Sequence, residues 1–148
     1  MKPISADEAR ALGIDTMHHQ MDNGERRFRM VSSDGSSYIR TEASGASGWQ
    51  NSHYHQDVTE LYVVQSGWLV YAKLSVNGEL TLQHMTQGDA LIVKPLTHHN
   101  IYMSAFTVTH VVKYGGGSVK TDWFPSPELD KLTKHISESE LVRRNHDV

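Results

Sequence analysis

Residues 48–67 read GWQNSHYHQDVTELYVVQSG, and the rest of the chain is understood from them. Side chains alternate across a pleated strand with period 2, so His53 and His55 point to the same side and their imidazoles can converge on one ion. Glu60 follows after the spacer Gln56-Asp57-Val58-Thr59 and adds a hard oxygen donor, which suits a divalent first-row metal better than sulfur does. The pattern reads as a metal site inside β-structure.

Composition narrows what such a site serves. The chain has 148 residues, enough for one domain that buries roughly 70% of its unfolded surface. The formal net charge is −3, and like charges cluster only at Arg26-Arg27 and Arg143-Arg144. Neither a nucleic acid nor an anionic membrane is therefore expected as a partner. There is no cysteine, which excludes disulfides, zinc-thiolate sites and thiol nucleophiles together. Acids at Asp7 and Glu8 occupy the place of a signal peptide's apolar run, and no stretch approaches 18 apolar residues. The expectation is a soluble, cytoplasmic protein.

Outward from residues 48–67 the chain is punctuated as β-structure. Ser5 and Glu8 have capping-box spacing and Gly13 stops the short N-terminal helix they predict. Between about 28 and 114 short runs follow one another: Phe28–Ser32, Tyr38–Glu42, Gly48–His55, Glu60–Gln65, Trp68–Ser75, Glu79–Met85, Asp89–Lys94, His99–Met103 and Phe106–Tyr114. Asp34-Gly35, Ser66-Gly67, Asn77-Gly78 and Gln87-Gly88 separate them as turns, Asn77-Gly78 being the strongest hairpin signal. Eight or nine closely spaced strands point to an antiparallel sandwich or barrel. Gly115–Gly117 reads as the exit from the last strand. Ser126-Pro127 then reads as a helix start, with Leu129, Leu132 and Ile136 at helical spacing. Ser137 and Glu140 repeat the capping-box spacing, so a helical tail over about 126–145 is expected to pack on the outside of the barrel.

The segment Gly48 to Gly67 resembles the first motif of the cupins, small jelly-roll barrels. That motif has a glycine, two histidines one residue apart, a glutamate, and a glycine after six further residues. Gly48 stands one residue closer to His53 than in the commonest form. The second motif is also similar: Gly88-Asp89, the run Ala90–Val93, Pro95, and a histidine eleven residues after the glycine, His99. The likeness covers roughly residues 28 to 114, and it departs at Leu96 and Thr97, where the family usually has a glycine after the proline. The resemblance implies an all-β jelly-roll barrel, a single domain over 1–148, and one divalent transition metal (Fe, Mn, Ni, Co or Zn) held by His53, His55, Glu60 and His99. His98 is the alternative ligand, because neighbours on a strand face opposite sides and only one of the pair reaches the metal. Cupins commonly pair through outer strands, so a homodimer is expected.

Alternation also proposes the surroundings of the site. Trp49 and Asn51 share parity with His53, Tyr62 and Val64 with Glu60, and Ile101 and Met103 with His99, so these are candidate pocket walls. Tyr62 and His110 are the candidates for proton transfer, His110 only if its face of the last strand looks inward. His18, His19, His84, His135 and His146 read as solvated, and Trp68 and Tyr71 as packing residues. Open positions on a metal in an apolar barrel act as a Lewis acid on two neighbouring substrate oxygens. The resemblance thus implies an isomerase or epimerase of a sugar or related hydroxy-carbonyl metabolite. An iron-dependent dioxygenase and a non-catalytic small-molecule binder stand as alternatives.

Overall fold

The structure, a computed structural model, describes residues 1–46, 48–116 and 121–146. Gly117 of the glycine exit and the side chain of His146 lie outside the described residues. Helix α1 (Ala6–Ala11) begins as its capping box predicts, with the Ser5 hydroxyl accepting from the Glu8 N–H at 3.1 Å. The strands follow as β1 (Ile14–Thr16), β2 (His19–Gln20), β3 (Arg26–Ser32), β4 (Ser37–Glu42), β5 (Gly48–Trp49), β6 (His53–Tyr54), β7 (Thr59–Ser66), β8 (Trp68–Leu74), β9 (Leu80–Thr86), β10 (Ala90–Val93), β11 (His98–Met103), β12 (Val108–Tyr114) and β13 (Phe124–Pro125).

They form two antiparallel sheets. The first runs β1-β3-β4-β12-β7-β10 with β2 beside β3, and the second runs β13-β6-β11-β8-β9 with β5 beside β11. The sheets face each other as a jelly-roll sandwich, and among the described residues no ladder joins their edges into a closed barrel. Every expected strand forms, with ends moved by a residue or two, except that Gly48–His55 divides into β5 and β6. The strands β1, β2 and β13 lie outside the expected 28–114 core; β13 proves to matter for the site.

Register explains how one interior holds both a core and a polar centre. Facing inward on the second sheet, Met103, Leu69 and Met85 lie side by side, then Ile101, Tyr71 and Gln83, then His53, His99, Lys73 and Thr81. The first two rows meet Tyr62, Val64, Val93 and Val111 of the other sheet in one apolar cluster. Leu69, Met85 and Ile101 are at most 2% exposed, and burying each contributes about 1.5–3 kcal/mol. Two residues further along the same strands the interior changes from hydrocarbon to imidazole.

The outer face of the second sheet is covered by α2 (Pro127–Thr133) and α3 (Glu138–His146). Val70 and Tyr102 pack there against Ile136 and Leu141, with Trp49, Trp68, Leu80 and Leu82 around them. Trp68 is thus packing, as expected, but His84 is not simply solvated: it is half-buried and stacked on Trp68 at 5.0 Å. Ser126 precedes α2 as predicted but makes no side-chain cap; its hydroxyl is taken by His98 Nδ1 at 2.7 Å.

Gly67 joins β7 to β8 at φ 82°, and a Cβ built there would lie 2.3 Å from Thr107 Oγ1 and 2.9 Å from the Thr107 Cα. Both the left-handed backbone and the contact exclude a side chain. Gly67→Ala is expected to destabilise the fold by about 2 kcal/mol or more, read as a lower urea midpoint with an unchanged m-value.

Candidate metal centre

Four side chains from three strand regions converge at the polar end of the sandwich. β6 carries His53, the turn after it His55, β7 Glu60 and β11 His99, with His53 directly opposite His99 in the ladder. Their donor atoms all lie within 4.8 Å of one another. Glu60 Oε1 is 2.7 Å from His55 Nε2 and 3.2 Å from His99 Nε2. His98 lies on the opposite face, its ring stacked on Tyr54 at 4.3 Å, so His99 is the member of the pair that faces the cluster.

The backbone sets the tautomers. His53 Nδ1 meets the Asn51 carbonyl at 2.9 Å, His99 Nδ1 meets the Thr97 carbonyl at 2.8 Å, and His55 Nδ1 is bonded to the Asp122 carbonyl. A carbonyl only accepts, so each ring donates from Nδ1 and turns Nε2 to the centre as the nitrogen available to a metal. His55 Nε2, His99 Nε2 and Glu60 Oε1 are buried without a hydrogen-bond partner. Four acceptors facing one another repel unless a positive charge sits between them. The donor set of three neutral imidazoles and one carboxylate fits a divalent transition metal, with carbonyl-anchored Nδ1 groups as the usual outer support.

In the metal-free chain burial alone would raise the Glu60 carboxyl, but protons shared with His55 and His99 and the Lys113 charge outweigh it and hold Glu60 well below the usual carboxylate range; a metal would take the place of those protons. His53 is pushed down to about 4, chiefly by burial, so it is neutral at pH 7. Unfolded His53 would take its proton near pH 6.5, whereas the folded ring refuses it until about 4. Its contribution to stability is therefore fully present above pH 6.5 and lost as pH falls from 6.5 toward 4. Chelator-treated protein should show this as a falling denaturation midpoint across that window.

Several expected neighbours are elsewhere. Trp49 faces outward, its ring edge-on to Tyr102 and its Nε1 donating to the Ile136 carbonyl at 3.0 Å. The reason is a bulge: Trp49 pairs with Tyr102 but His53 with His99, so one extra residue lies between β5 and β6 and reverses the parity. Asn51 is exposed; its carbonyl orients His53 while its side chain accepts from Lys134 at 2.6 Å. Ile101 and Met103 do face inward, but as apolar floor below the cluster. His110 lies on the outer face of β12, between the Tyr38 hydroxyl at 2.5 Å and Gln65 Oε1 at 2.6 Å, because Thr109, Val111 and Lys113 take the inward face. Tyr62 is inward and buried; burial and the neighbouring Glu60 carboxylate raise it far above its ordinary value, so it holds its proton.

Three residues the sequence did not single out, Asp122, Trp123 and Lys113, complete the centre together with Leu96. The Asp122 carboxylate accepts from the N–H groups of Gln56, Asp57 and Val58 at 2.6, 2.8 and 3.0 Å, fixing the turn between His55 and Glu60, while pairing of β13 with β6 holds it in place. Trp123 stacks on His53 at 5.4 Å. Leu96 has φ 65° where the family has glycine, and its N–H is bonded to the His55 carbonyl at 2.7 Å; a left-handed leucine costs about 1–2 kcal/mol. Lys113 lies opposite Glu60 in the β12–β7 ladder. Asp122→Ala is expected to lower metal affinity about 10–100-fold with the fold intact, measured by competition with a chromophoric chelator.

Of the four cluster residues, His55 also borders a cleft of about 710 Å³, lined by Val31, Ser37, Lys113, Asp122 and Trp123 among others. No described helix is long and apolar enough to cross a membrane. No family model and no curated protein matches the chain. Solved structures match its fold: oxalate decarboxylase from Bacillus subtilis superposes with a TM-score of 0.63 at 16% identity, over 90% of this chain and 35% of that one. A structure of the same enzyme used to assign its Mn(II) centres gives 0.62 at 16% identity, with the same coverage. The capsular polysaccharide assembling protein CapF from Staphylococcus aureus gives 0.57 at 16% identity, over 74% of this chain and 32% of that one. The chain spans about a third of the length of these relatives. With two facing antiparallel sheets of this topology and both histidine motifs meeting at one end of the sandwich, the chain has the jelly-roll fold of these solved structures.

Proposed function

We propose that this protein is a metal-dependent cupin enzyme of small-molecule metabolism, binding one divalent transition metal at His53, His55, Glu60 and His99. The observation that carries the reading is the set of buried acceptors, three of them without a partner, that meet with no donor between them. A metal held there would supply Lewis acidity to two neighbouring oxygens of a substrate. The chemistry we favour is isomerisation or epimerisation of a hydroxy-carbonyl metabolite such as a sugar.

The roles of the protein groups follow from their surroundings. Tyr62 keeps its proton beside the Glu60 carboxylate, so it acts as a positioning residue and not as the base. Asp122 holds the turn that carries His55 toward Glu60. Trp123 covers His53 and narrows the access of water to the cluster. His110 takes no part in this reading. A homodimer belongs to the same proposal: the outer face of the first sheet is left uncovered by helices and aligns Met30, Tyr38, Val112, Leu61 and Ile92 across five strands.

The test uses metal-loaded protein and a panel of aldoses and ketoses in deuterium oxide. An isomerase or epimerase incorporates solvent deuterium at the carbon beside the carbonyl and consumes no oxygen. An oxygenase consumes oxygen with iron and fails with zinc, while a binder is stabilised by ligand and releases no product. Either of the last two outcomes removes the isomerase assignment.

A further inference from the structure

The charges around the cleft name a class of substrate, an inference that rests on the metal-centre reading. We propose that the cleft takes a small organic oxyanion and that Lys113 binds its charged oxygens, while neighbouring oxygens of the same molecule face the metal cluster.

Three cations project from the inner face of the first sheet, because alternation places Arg27 and Arg29 of β3 and Lys113 of β12 on the inward side. Two of them are engaged. Arg27 Nε donates to Glu25 Oε1 at 2.7 Å, with Glu25 4% exposed, and Arg29 Nη1 is 2.8 Å from His19 Nδ1. Lys113 is half-buried and makes no ion pair among the described residues. The carboxylate opposite it, Glu60, is turned toward His55 and His99.

Lys113 and His55 border the same cleft, and Ser32, Ser33, Ser36 and Ser37 line the wall beside them. A dication held by one carboxylate and three neutral imidazoles keeps one positive charge, and Lys113 adds a second at the same end of a concave site. Three carboxylates border the cleft as well, but Asp15 lies 3.5 Å from Arg10, Asp122 accepts from three backbone N–H groups, and Asp57 is exposed, so Lys113 is the cation left to offer its three donors to an oxyanion in charge-assisted hydrogen bonds. The serine hydroxyls suit the uncharged oxygens of a hydroxy acid or a phosphorylated hydroxy compound. Lys73 supplies an internal control. It lies in the row of His99 on the other sheet, but borders a separate cleft with Lys94 and Thr97.

The experiment is calorimetric titration of the metal-loaded full chain, at constant ionic strength, with glycerate, glycerol 3-phosphate and glycerol. At least one of the two anions is expected to bind about tenfold or more tighter than glycerol, and the one that does so separates a carboxylate from a phosphate ligand. Lys113→Met should bring that anion to the level of glycerol, Lys113→Arg should keep the preference, and Lys73→Met should change nothing. Equal or absent binding of all three compounds, or a preference that survives Lys113→Met, would overturn the proposal. Metal content measured on the same samples separates the two readings. Full metal with no anion preference removes this inference alone, and Lys113-dependent anion binding in protein that takes up no metal removes the metal centre alone.

Discussion

Glu60→Ala and His55→Ala each lose metal affinity by about 100-fold or more, beyond the 10–100-fold effect of removing an outer partner of a ligand. Elemental analysis of protein purified without added metal is expected to give about one ion per chain for the wild type and little for either variant. Far-ultraviolet circular dichroism should be unchanged, because neither side chain belongs to the apolar cluster that joins the sheets. Glu60→Ala removes the only carboxylate of the four donors and leaves neutral imidazoles, which bind more weakly without a balancing charge. His55→Ala removes the ligand bonded to the Asp122 carbonyl, and with it the link between the ion and β13. Stoichiometric metal retained in both variants would sink the assignment.

Metal loading should also raise thermal stability by a large margin. Without a metal, His55 Nε2 and His99 Nε2 lie 2.7 and 3.2 Å from Glu60 Oε1, and as lone pairs they would carry a repulsion that the unfolded chain does not. A metal at a thousand times its dissociation constant stabilises the fold by about 4 kcal/mol, which for a domain of this size corresponds to a rise in Tm of roughly 8–16 °C. Melting curves with chelator, then with manganese, iron, nickel, cobalt or zinc, measure it and rank the metals. The shift should vanish in Glu60→Ala, which ties the stabilisation to this centre. No shift with any of the five ions would contradict the reading.

Much of the site was legible because its grammar is local. Two histidines at i and i+2, a glutamate after four more residues and a glycine at the following turn are constraints within one stretch of twenty residues. They stay meaningful wherever that stretch ends up. Leu96 is instructive in the opposite direction, since the turn it occupies looks like a departure from the family. Its left-handed φ of 65° keeps the backbone shape that glycine would give, so the substitution changed the residue and not the turn. The expected pocket walls failed for a related reason. Parity states which face a side chain takes only while the strand is unbroken, and one inserted residue between Trp49 and His53 turned Trp49 to the outside.

By itself the sequence determined the strand spacing, the turn positions, the helical ends and the convergence of His53, His55 and Glu60, because each follows from side-chain period, glycine and proline conformations, or fixed spacing. Only the tertiary structure decided that His99 and not His98 faces the cluster, that His110 lies outside, that Asp122, 67 residues along the chain from His55, holds the turn between His55 and Glu60, and that Lys113 stands across from Glu60. Those facts depend on which strands become neighbours and in what register, and the free energy that selects a register is spread over the whole sandwich, so no short stretch of the chain encodes it.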